Sequence, residues 1–575
     1  MCDITFFVSS LTQTKKMGQR IFTIIGVLCL LINCQPEKIW DVEYEITQVD
    51  QDSLQLLKVK MTLPADSCGQ TILTYQDRTW GEENLHNTVH YANLLGVKGE
   101  VSMDKKTGQV ILQYPKNLEK IEFEYALKQD FDHPINTSVT YRPIILPEYF
   151  HVFSHNLFML PEVDVPTLDI RLLWKGFDAP QVVHNSFGSN SSIQEIVAIA
   201  PEEFHSAIFL GGDFNIQEIT IQDNKVFLAT RGDWVPFTPE EMKTLLEKTI
   251  TVQRDFWNDH SQPYFTVTMQ PFEQELGSSC QGTGLTNSFA TSFSNNNYID
   301  MEQMVHLFNH ELLHNWIGHR IQNDNEELEY WFSEGFTEYY TYKNVAKHKI
   351  NGLGAAFFIS SMNDMIKNLE ALSIKEVPNS EVNYNNFWTN PEYQKLPYFR
   401  GALYAFYLDY TIQKTSQGKY SLDDFMLELL AAADEGNKFN RELFLEHMTH
   451  YLPDADQIGY TRFIENGNPI PFQDFFEAQG LAYENNTILY ELGFAFNKDQ
   501  TEVVRVVSGS AAEKAGVQRG DLVLSRSIWY GNPEKEVQLT LSRNGEEHQI
   551  LYYPRREAEI AILKNNQENQ QQLKL

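Results

Sequence analysis

The sequence predicts a multidomain α+β protein with a strand-rich N-terminal domain, a mixed central domain with a helical extension, and a strand-rich C-terminal module. Three observations lead to this prediction. Alternating apolar and polar segments recur between residues 38 and 215, helical periodicity dominates from 300 to about 434, and short strands return between 490 and 555. At roughly 100–200 residues per domain, the chain has room for three to five domains.

Residues 1–33 have the layout of an export signal. Three basic residues precede an apolar run over residues 21–33, about half as long as a bilayer-spanning helix. Residues 31–34, Leu-Ile-Asn-Cys, resemble a bacterial lipobox, although Asn33 replaces the usual small residue. We expect an exported protein anchored to the cell envelope through a lipid on Cys34. Cleavage without a lipid and a retained anchor stay open.

Residues 34–215 are predicted to form a β domain. Residues 42–46, 57–61 and 168–172 alternate between apolar and polar side chains, and turn-forming residues separate such segments. An antiparallel, sandwich-like arrangement fits this pattern.

Two helix starts stand out in the rest of the chain. Thr238 is predicted to cap a helix that runs from 239 to about Trp257. Ser421 is predicted to cap another, with Asp424 in place of the usual Glu of a capping box. Residues 264–268 form a predicted strand. Residues 277–297 favour a loop and an edge strand.

The charge and the cysteines exclude some functions. The formal net charge is -32, and such a surface repels phosphate backbones, so nucleic acid is not an expected partner. After processing at Cys34, only Cys68 and Cys280 remain as thiols, and we expect both to be buried and independent, with a disulfide as the alternative. The absence of a Cys-x-x-Cys pair excludes a thiolate zinc site.

Residues 305–316, V-H-L-F-N-H-E-L-L-H-N-W, contain His-Glu-x-x-His in an apolar setting. On a helix, His310 and His314 lie on one face and can bind one metal ion. Glu311 lies one step round the helix, where it can take a proton from a water on that ion as general base. The flanking His306 and His319 are expected to be structural or surface residues.

A third ligand is predicted in residues 331–340, W-F-S-E-G-F-T-E-Y-Y, which suggest a second helix. Glu334 would complete a three-ligand catalytic site with one open position, and histidine with carboxylate ligands favours a single Zn²⁺. Glu338 lies one turn later and could accept the free ring N–H of a ligand histidine.

These two segments resemble the gluzincin metallopeptidases, and within them the glycyl aminopeptidase family. The resemblance extends to residues 463–472 and covers almost the whole mature chain. It implies an N-terminal β domain, a thermolysin-like catalytic domain with a helical extension, and a PDZ domain. The implied boundaries are 1–33 for the signal peptide, 34–215, 216–415, 416–484 and 485–556 for the four domains, and 557–575 for a polar tail, expected to be frayed or disordered.

The resemblance also suggests further site residues. Residues 396–403 resemble the gluzincin segment that carries the transition-state tyrosine, so Tyr398 would donate its phenol hydrogen to the developing oxyanion. Tyr393 matches a second tyrosine of some relatives, and either residue could instead only pack.

One departure from the pattern concerns substrate binding. Related aminopeptidases carry a Glu that binds the substrate's α-amine. The corresponding segment here is Gly284, Leu285 and Thr286, and Thr286, which has only a hydroxyl, stands where the Glu would be. Glu273 or Glu275 could substitute. The resemblance implies an aminopeptidase for small N-terminal residues, whereas Thr286 leaves an endopeptidase open. The alternative that is not an enzyme is a catalytically silent peptide-binding scaffold.

Residues 506–524 resemble a bacterial PDZ domain. Leu492, Gly493 and Phe494 would then form a loop whose backbone N–H groups bind a peptide C-terminus. The expected partners are therefore a peptide or protein substrate, a second peptide at this module, and the membrane through the lipid alone.

Overall fold

The computed structural model describes residues 38–177, 181–275, 277–573 and 575. The predicted signal peptide, residues 1–33, and Cys34 lie outside the described residues. Among the described helices, none combines the length and the apolar character needed to cross a bilayer.

The N-terminal domain is built from three sheets around one apolar core, as the alternation of its sequence predicts. The largest sheet has the order β14-β11-β1-β2-β7-β4; β1 and β11 run parallel, unlike the expected antiparallel arrangement, because a long connection brings β11 back beside β1. The elements are β1 (Val42–Gln51), β2 (Leu54–Pro64), β3 (Gln70–Thr74), β4 (Val89–Leu95), β5 (Glu100–Asp104), β6 (Gln109–Gln113), β7 (Lys120–Lys128), β8 (Ile144–Ile145), β9 (Tyr149–Phe153), α1 (Ser154–Leu157), β10 (Leu160–Pro161), β11 (Leu168–Lys175), β12 (Val182–Asn185), β13 (Gly188–Ser189), β14 (Ile193–Ile199), α2 (Pro201–His205) and β15 (Ile208–Gly212).

A five-stranded mixed sheet and two long helices form the central part. The sheet has the order β16-β17-β18-β20-β19, with β17, β18 and β20 parallel and β19 antiparallel at one edge. Thr238 forms a full capping box with Glu241, which confirms the predicted first helix and its bounds. The elements are β16 (Asn215–Ile221), β17 (Asn224–Thr230), α3 (Pro239–Trp257), β18 (Tyr264–Phe272), β19 (Cys280–Leu285), β20 (Ser288–Ser294) and α4 (Met301–Leu313).

Helices follow without an intervening strand, as the periodicity predicts. Their buried aromatic and aliphatic side chains form the largest apolar cluster of the described chain. Ser421 caps α10 with Asp424 at N3, as predicted. The helices are α5 (Glu326–Ser333), α6 (Gly335–His348), α7 (Ala355–Ala371), α8 (Tyr384–Thr389), α9 (Pro391–Thr415), α10 (Leu422–Asp434), α11 (Arg441–Tyr451), α12 (Ala455–Ile458) and α13 (Phe472–Gln479).

The C-terminal module has its own small apolar core. Its strands form the sheets β22-β23 and β24-β25-β26, while β21 pairs with β27. The elements are β21 (Tyr483–Tyr490), β22 (Phe494–Phe496), β23 (Val503–Val506), α14 (Ala511–Ala515), β24 (Leu522–Ser527), β25 (Val537–Arg543), β26 (Glu546–Tyr552), β27 (Arg555–Leu563) and α15 (Gln567–Gln572).

The expectation of a frayed or disordered tail at residues 557–575 is wrong. Strand β27 pairs with β21 over its length, and Leu563 and Leu573 are buried against the helical region. The prediction rested on the polar composition of the tail, yet Asn569 is buried. Its side-chain oxygen accepts a hydrogen bond from the N–H of Ala482, and its side-chain nitrogen donates one to the carbonyl of Ala482.

The two cysteines of the described chain do not form a disulfide, which confirms that they are independent. The expectation that they are buried is wrong, since both residues are exposed. Cys68 lies in the turn before β3, and Cys280 begins the edge strand β19.

Candidate metal centre and active site

Helix α4 presents the first two predicted ligands. Asp300 and Gln303 form a capping box that fixes where the helix begins. The apolar residues of the helix, Phe308 and Leu312 among them, pack in the core of the central domain. His310, in the last turn, and His314, directly after the helix, turn their Nε2 atoms toward each other at 3.2 Å.

Three ligand atoms form a nearly equilateral triangle. The Oε2 atom of Glu334 lies 3.4 Å from His310 Nε2 and 3.6 Å from His314 Nε2. Tetrahedral ligands at Zn²⁺ distances lie about 3.3–3.4 Å apart, so the triangle has the size that this ion requires. Glu334 Oε2 is buried and accepts no hydrogen bond from the described residues, so the chain itself does not satisfy this charged atom. The residues therefore fit a bound zinc ion.

Electrostatics at the triangle favour a cation. Burial disfavours a charged imidazole at His314, but the Glu334 carboxylate outweighs burial and raises the pKa of His314 to about 9. Burial likewise opposes ionisation of Glu334, yet His314 and His310 hold the pKa of Glu334 well below its ordinary value. The His314 Nδ1 atom lies 3.0 Å from the carbonyl oxygen of Ile317. A proton on Nδ1 leaves Nε2 free for the metal.

Glu334 lies at the junction of α5 and α6, which meet without leaving helical geometry. The next residue, Gly335, faces Gly401 of α9, and an added Cβ at either glycine would collide with the other helix. This close crossing brings α9, and with it Tyr398, against the metal ligands. The Ser-Glu-Gly segment therefore provides both a ligand and the contact that positions its neighbour.

Glu338 makes a different contact from the one predicted. Its Oε2 atom lies 2.8 Å from Nε2 of His306, whereas its Oε1 atom lies 3.9 Å from Nδ1 of the ligand His310. The longer distance is not a hydrogen bond. His310 Nδ1 is buried and has no hydrogen-bond partner in the described chain, so Glu338 is the nearest carboxylate to an unsatisfied ring nitrogen. His306 therefore shares the Glu338 carboxylate with the site, and His306, His310 and Glu338 form a second group of side chains close enough to hold a metal ion.

Glu311 is half-buried beside the ligands. Its charge acts on the hydroxyl groups of Tyr141 and Tyr398 and on the thiol of Cys280. These groups belong to the N-terminal domain, α9 and the edge strand β19. The Glu311 carboxylate is therefore within electrostatic reach of all three elements around the ligand helix, which suits a general base beside the metal.

Tyr398 stands over the metal ligands. Its ring is stacked on that of His310, with centroids 5.9 Å apart and an interplanar angle of 12°. Burial, and then the charge of Glu334, raise the pKa of Tyr398 far above its ordinary value, so the phenol retains its proton. Tyr393 and Tyr398 both pack against an apolar cluster that contains Phe387 and Leu396. The ring of Tyr398 is the one that also stacks on a ligand histidine.

The edge strand β19 carries the predicted substrate-binding residues. Gly284 is exposed, with open space where a Cβ would stand, whereas Leu285 packs against an apolar cluster formed with the N-terminal domain. Thr286 lies just beyond the strand, and its hydroxyl donates a 2.7 Å hydrogen bond to the carbonyl of Glu203. This bond occupies the hydroxyl. Glu273 and Glu275 are exposed on the loop before the strand.

Tyr141, which comes from the N-terminal domain, is a site residue that the sequence did not predict. Its hydroxyl donates to the carbonyl of Gly282 on β19 at 3.3 Å, and the neighbouring Thr140 bonds the side chain of Gln281. Burial, and then the charge of Glu311, raise the pKa of Tyr141 to about 12. No local sequence pattern indicates a role for Tyr141, because only tertiary packing brings it next to β19.

The loop of Leu492, Gly493 and Phe494 leads into β22. Gly493 has a φ of +79°, and a side chain there would collide with Ser510. Strand β22 pairs only with β23 among the described strands, so its other edge is open.

The ligand triangle, with Glu311 and Tyr398 beside it, defines the class: the chain is a zinc metallopeptidase of the gluzincin type that binds one catalytic zinc. Residues 278–451, which contain all three ligands, match the peptidase family M1 domain. No curated protein matches the chain.

Several solved structures match the chain to different degrees. An aminopeptidase N family protein from Idiomarina loihiensis is 15% identical, with a TM-score of 0.67 and coverage of 93% of this chain and 100% of that one. An M1 zinc metallopeptidase from Deinococcus radiodurans, solved with a Tyr-Ser-Ala substrate, is 14% identical, covers 75% and 94%, and has a TM-score of 0.41. Leukotriene A4 hydrolase from Saccharomyces cerevisiae is 14% identical, covers 75% and 68%, and has a TM-score of 0.42.

Proposed function

We propose that the enzyme is an exopeptidase that releases small N-terminal residues from short peptides, as the resemblance to glycyl aminopeptidases implies. The observation that carries this proposal is the position of Tyr141. Its ring closes on the edge strand at Gly282, beside Glu311, and Trp80 packs edge-on against it at 5.7 Å. The N-terminal domain therefore narrows the cleft next to the base, which favours a short substrate with small side chains.

In this mechanism, His310, His314 and Glu334 hold the zinc ion. A zinc ion held by these residues would lower the pKa of a water and polarise the scissile carbonyl. Glu311 accepts the proton of the attacking water and returns it to the leaving amine. Tyr398, protonated at neutral pH, donates its phenol hydrogen to the oxygen on which charge develops.

An endopeptidase is the second candidate, and the hydrogen bond of Thr286 favours it. A hydroxyl cannot neutralise an ammonium, and this one is already bonded to the carbonyl of Glu203. The enzyme would then bind its substrate without recognising a free N-terminus.

Paired peptides with free and acetylated N-termini separate these candidates. The exopeptidase proposal predicts that the zinc-loaded enzyme cleaves only the free-amine peptide, and Gly or Ala faster than Leu or Phe at the N-terminus. Equal cleavage of the acetylated peptide would assign an endopeptidase. Tyr141→Phe is the matched variant, because it keeps the ring that narrows the cleft and should preserve the preference for small residues, whereas Tyr141→Ala should relax it.

We also propose that the enzyme is exported and anchored to the bacterial envelope through Cys34, as residues 31–34 suggest. The C-terminal module is proposed to be a PDZ domain that binds a peptide C-terminus at Leu492 to Phe494. The open edge of β22 supports this, since an extended peptide can add to such an edge. A labelled peptide with a free C-terminus should bind more tightly than its amide. Loss of that difference in a variant that lacks residues 485–556 would assign the binding site to this module.

A further inference from the structure

Lys395 lies on α9, three residues before Tyr398, on the same side of the helix. Lys395 is exposed, and its Nζ atom lies 4.9 Å from the centroid of the Tyr398 ring. That ring is in turn stacked on the ligand His310. The ammonium therefore stands one aromatic ring away from the metal ligands.

The same ammonium interacts electrostatically with groups on several sides of the metal centre. Its charge acts on Cys280 of the edge strand, on His306 of α4 and on Glu338 of α6. These residues belong to three separate elements that surround the metal centre. The ammonium is therefore within electrostatic reach of groups on all three elements.

Among the described residues, no carboxylate lies within ion-pair distance of this ammonium. Across the described residues, Lys395 forms neither an ion pair within 4.0 Å nor a side-chain hydrogen bond. The three carboxylates near the centre have other partners or tasks: Glu334 faces the ligand histidines, Glu338 bonds His306, and Glu311 stands in the cleft. An anion that enters the cleft is the partner that would pair with Lys395.

We infer that Lys395 forms a subsite that binds a carboxylate of the substrate. This inference rests on the proposed peptidase function and extends it to substrate choice. Where the related pattern has an acid for the substrate's amine, the chain has the occupied hydroxyl of Thr286. Lys395 places a cation beside the metal centre with no carboxylate of the described residues within 4.0 Å of it, so it can recognise a carboxylate of the substrate.

Two parts of a peptide carry such a group: the C-terminal carboxylate of a short peptide, and an acidic side chain near the scissile bond. Four tripeptides distinguish them: Ala-Ala-Ala as acid and as amide, and Ala-Glu-Ala and Ala-Gln-Ala, both as amides. Cleavage is measured for the zinc-loaded wild type, for Lys395→Met, and for Lys419→Met. Lys419 is the matched control, because it is also an exposed lysine over a tyrosine ring, at 4.5 Å from Tyr420.

The inference predicts that the wild type and Lys419→Met prefer one acid over its neutral counterpart by roughly tenfold in kcat/KM. Lys395→Met should lose that preference through a higher KM for the acid, with the neutral peptide cleaved as before. A preference for the free C-terminus would assign the first source, and a preference for Glu over Gln the second. No preference in the wild type, or an undiminished one in Lys395→Met, would overturn the inference.

Binding to zinc-loaded Glu311→Gln, measured by calorimetry, separates this test from that of the proposed function. If no peptide is cleaved by the wild type but the acid still binds more tightly than its neutral counterpart, with the difference lost in Glu311→Gln/Lys395→Met, the subsite stands and the peptidase proposal fails. If peptides are cleaved and bound without regard to the carboxylate, the subsite fails alone.

Discussion

Gly335 and Gly401 lie back to back where α6 crosses α9, so that a Cβ added to Gly401 would stand 2.8 Å from the Cα of Gly335. Gly335 follows the ligand Glu334, and Gly401 follows Tyr398 by three residues. The distance between these two helices therefore sets the distance between the third metal ligand and the proposed oxyanion donor.

Gly401→Ala should separate the helices. The added methyl would also collide with the carbonyl of Trp331, and such overpacking costs about 1–3 kcal/mol or more of unfolding free energy. We expect a lower Tm, weaker zinc retention and lower kcat. Gly354→Ala is the control, because its added Cβ meets no atom within 4 Å. Equal Tm values for the two variants would contradict the close crossing.

Tyr398→Phe removes the proposed hydrogen-bond donor but keeps the ring stacked on His310. We expect kcat to fall roughly 10²–10³-fold, with zinc content and KM little changed. Tyr393→Phe should lose much less activity, because the tyrosine stacked on the ligand His310 is Tyr398. If the two substitutions cost the same, the oxyanion role does not belong to Tyr398.

Glu338→Gln tests which histidine depends on this carboxylate. If Glu338 orients the ligand His310 when zinc binds, Glu338→Gln should weaken zinc affinity roughly 10–100-fold in a chelator competition. His306→Gln, which removes the partner at 2.8 Å, should then leave zinc affinity nearly unchanged. Equal effects of the two variants would show that Glu338 acts only through His306.

Glu329 gives the stability of the enzyme a pH dependence. Burial, and then the carboxylates of Glu326 and Asp324, raise the pKa of Glu329 to about 7 from an ordinary value of 4.5. Because the folded-state pKa is raised, this contribution to stability is present below pH 4.5 and is lost as the pH rises through about 7. Glu329→Gln should therefore gain unfolding free energy at pH 8 relative to pH 4.

The gain should be on the order of 1 kcal/mol, because the neighbouring carboxylates face solvent and their effect is screened. Chemical denaturation at the two pH values measures it. Glu247→Gln, at an exposed position on α3, is the control for replacing a glutamate on a helix. A gain that is equal at both pH values would mean that Glu329 does not titrate in this range.

Local signals explain what the sequence predicted well. The capping boxes at Thr238 and Ser421 mark helix starts because the side chain and the backbone that it bonds are only three residues apart. The ligand helix was predictable for the same reason, since positions i and i+4 of a helix share one face. His310 and His314 therefore lie together wherever the helix goes.

Tertiary packing explains what the sequence could not give. Tyr141 reaches the cleft from 170 residues before Glu311, and no periodicity connects the two. Glu338 has two histidines within reach, and only the packing of α6 on α4 decides that His306 receives the hydrogen bond. Disorder of the tail was predicted from its polar composition alone, but composition does not show that one of its polar side chains, the amide of Asn569, is buried.

The most direct test of the central claim compares zinc-loaded wild type with zinc-loaded Glu311→Gln on free-amine peptides, with metal content measured in both. The account predicts one zinc per chain in each protein, hydrolysis by the wild type, and loss of at least about 10²-fold in kcat in Glu311→Gln. A Glu311→Gln enzyme that keeps its zinc and hydrolyses peptides at the wild-type rate would contradict it.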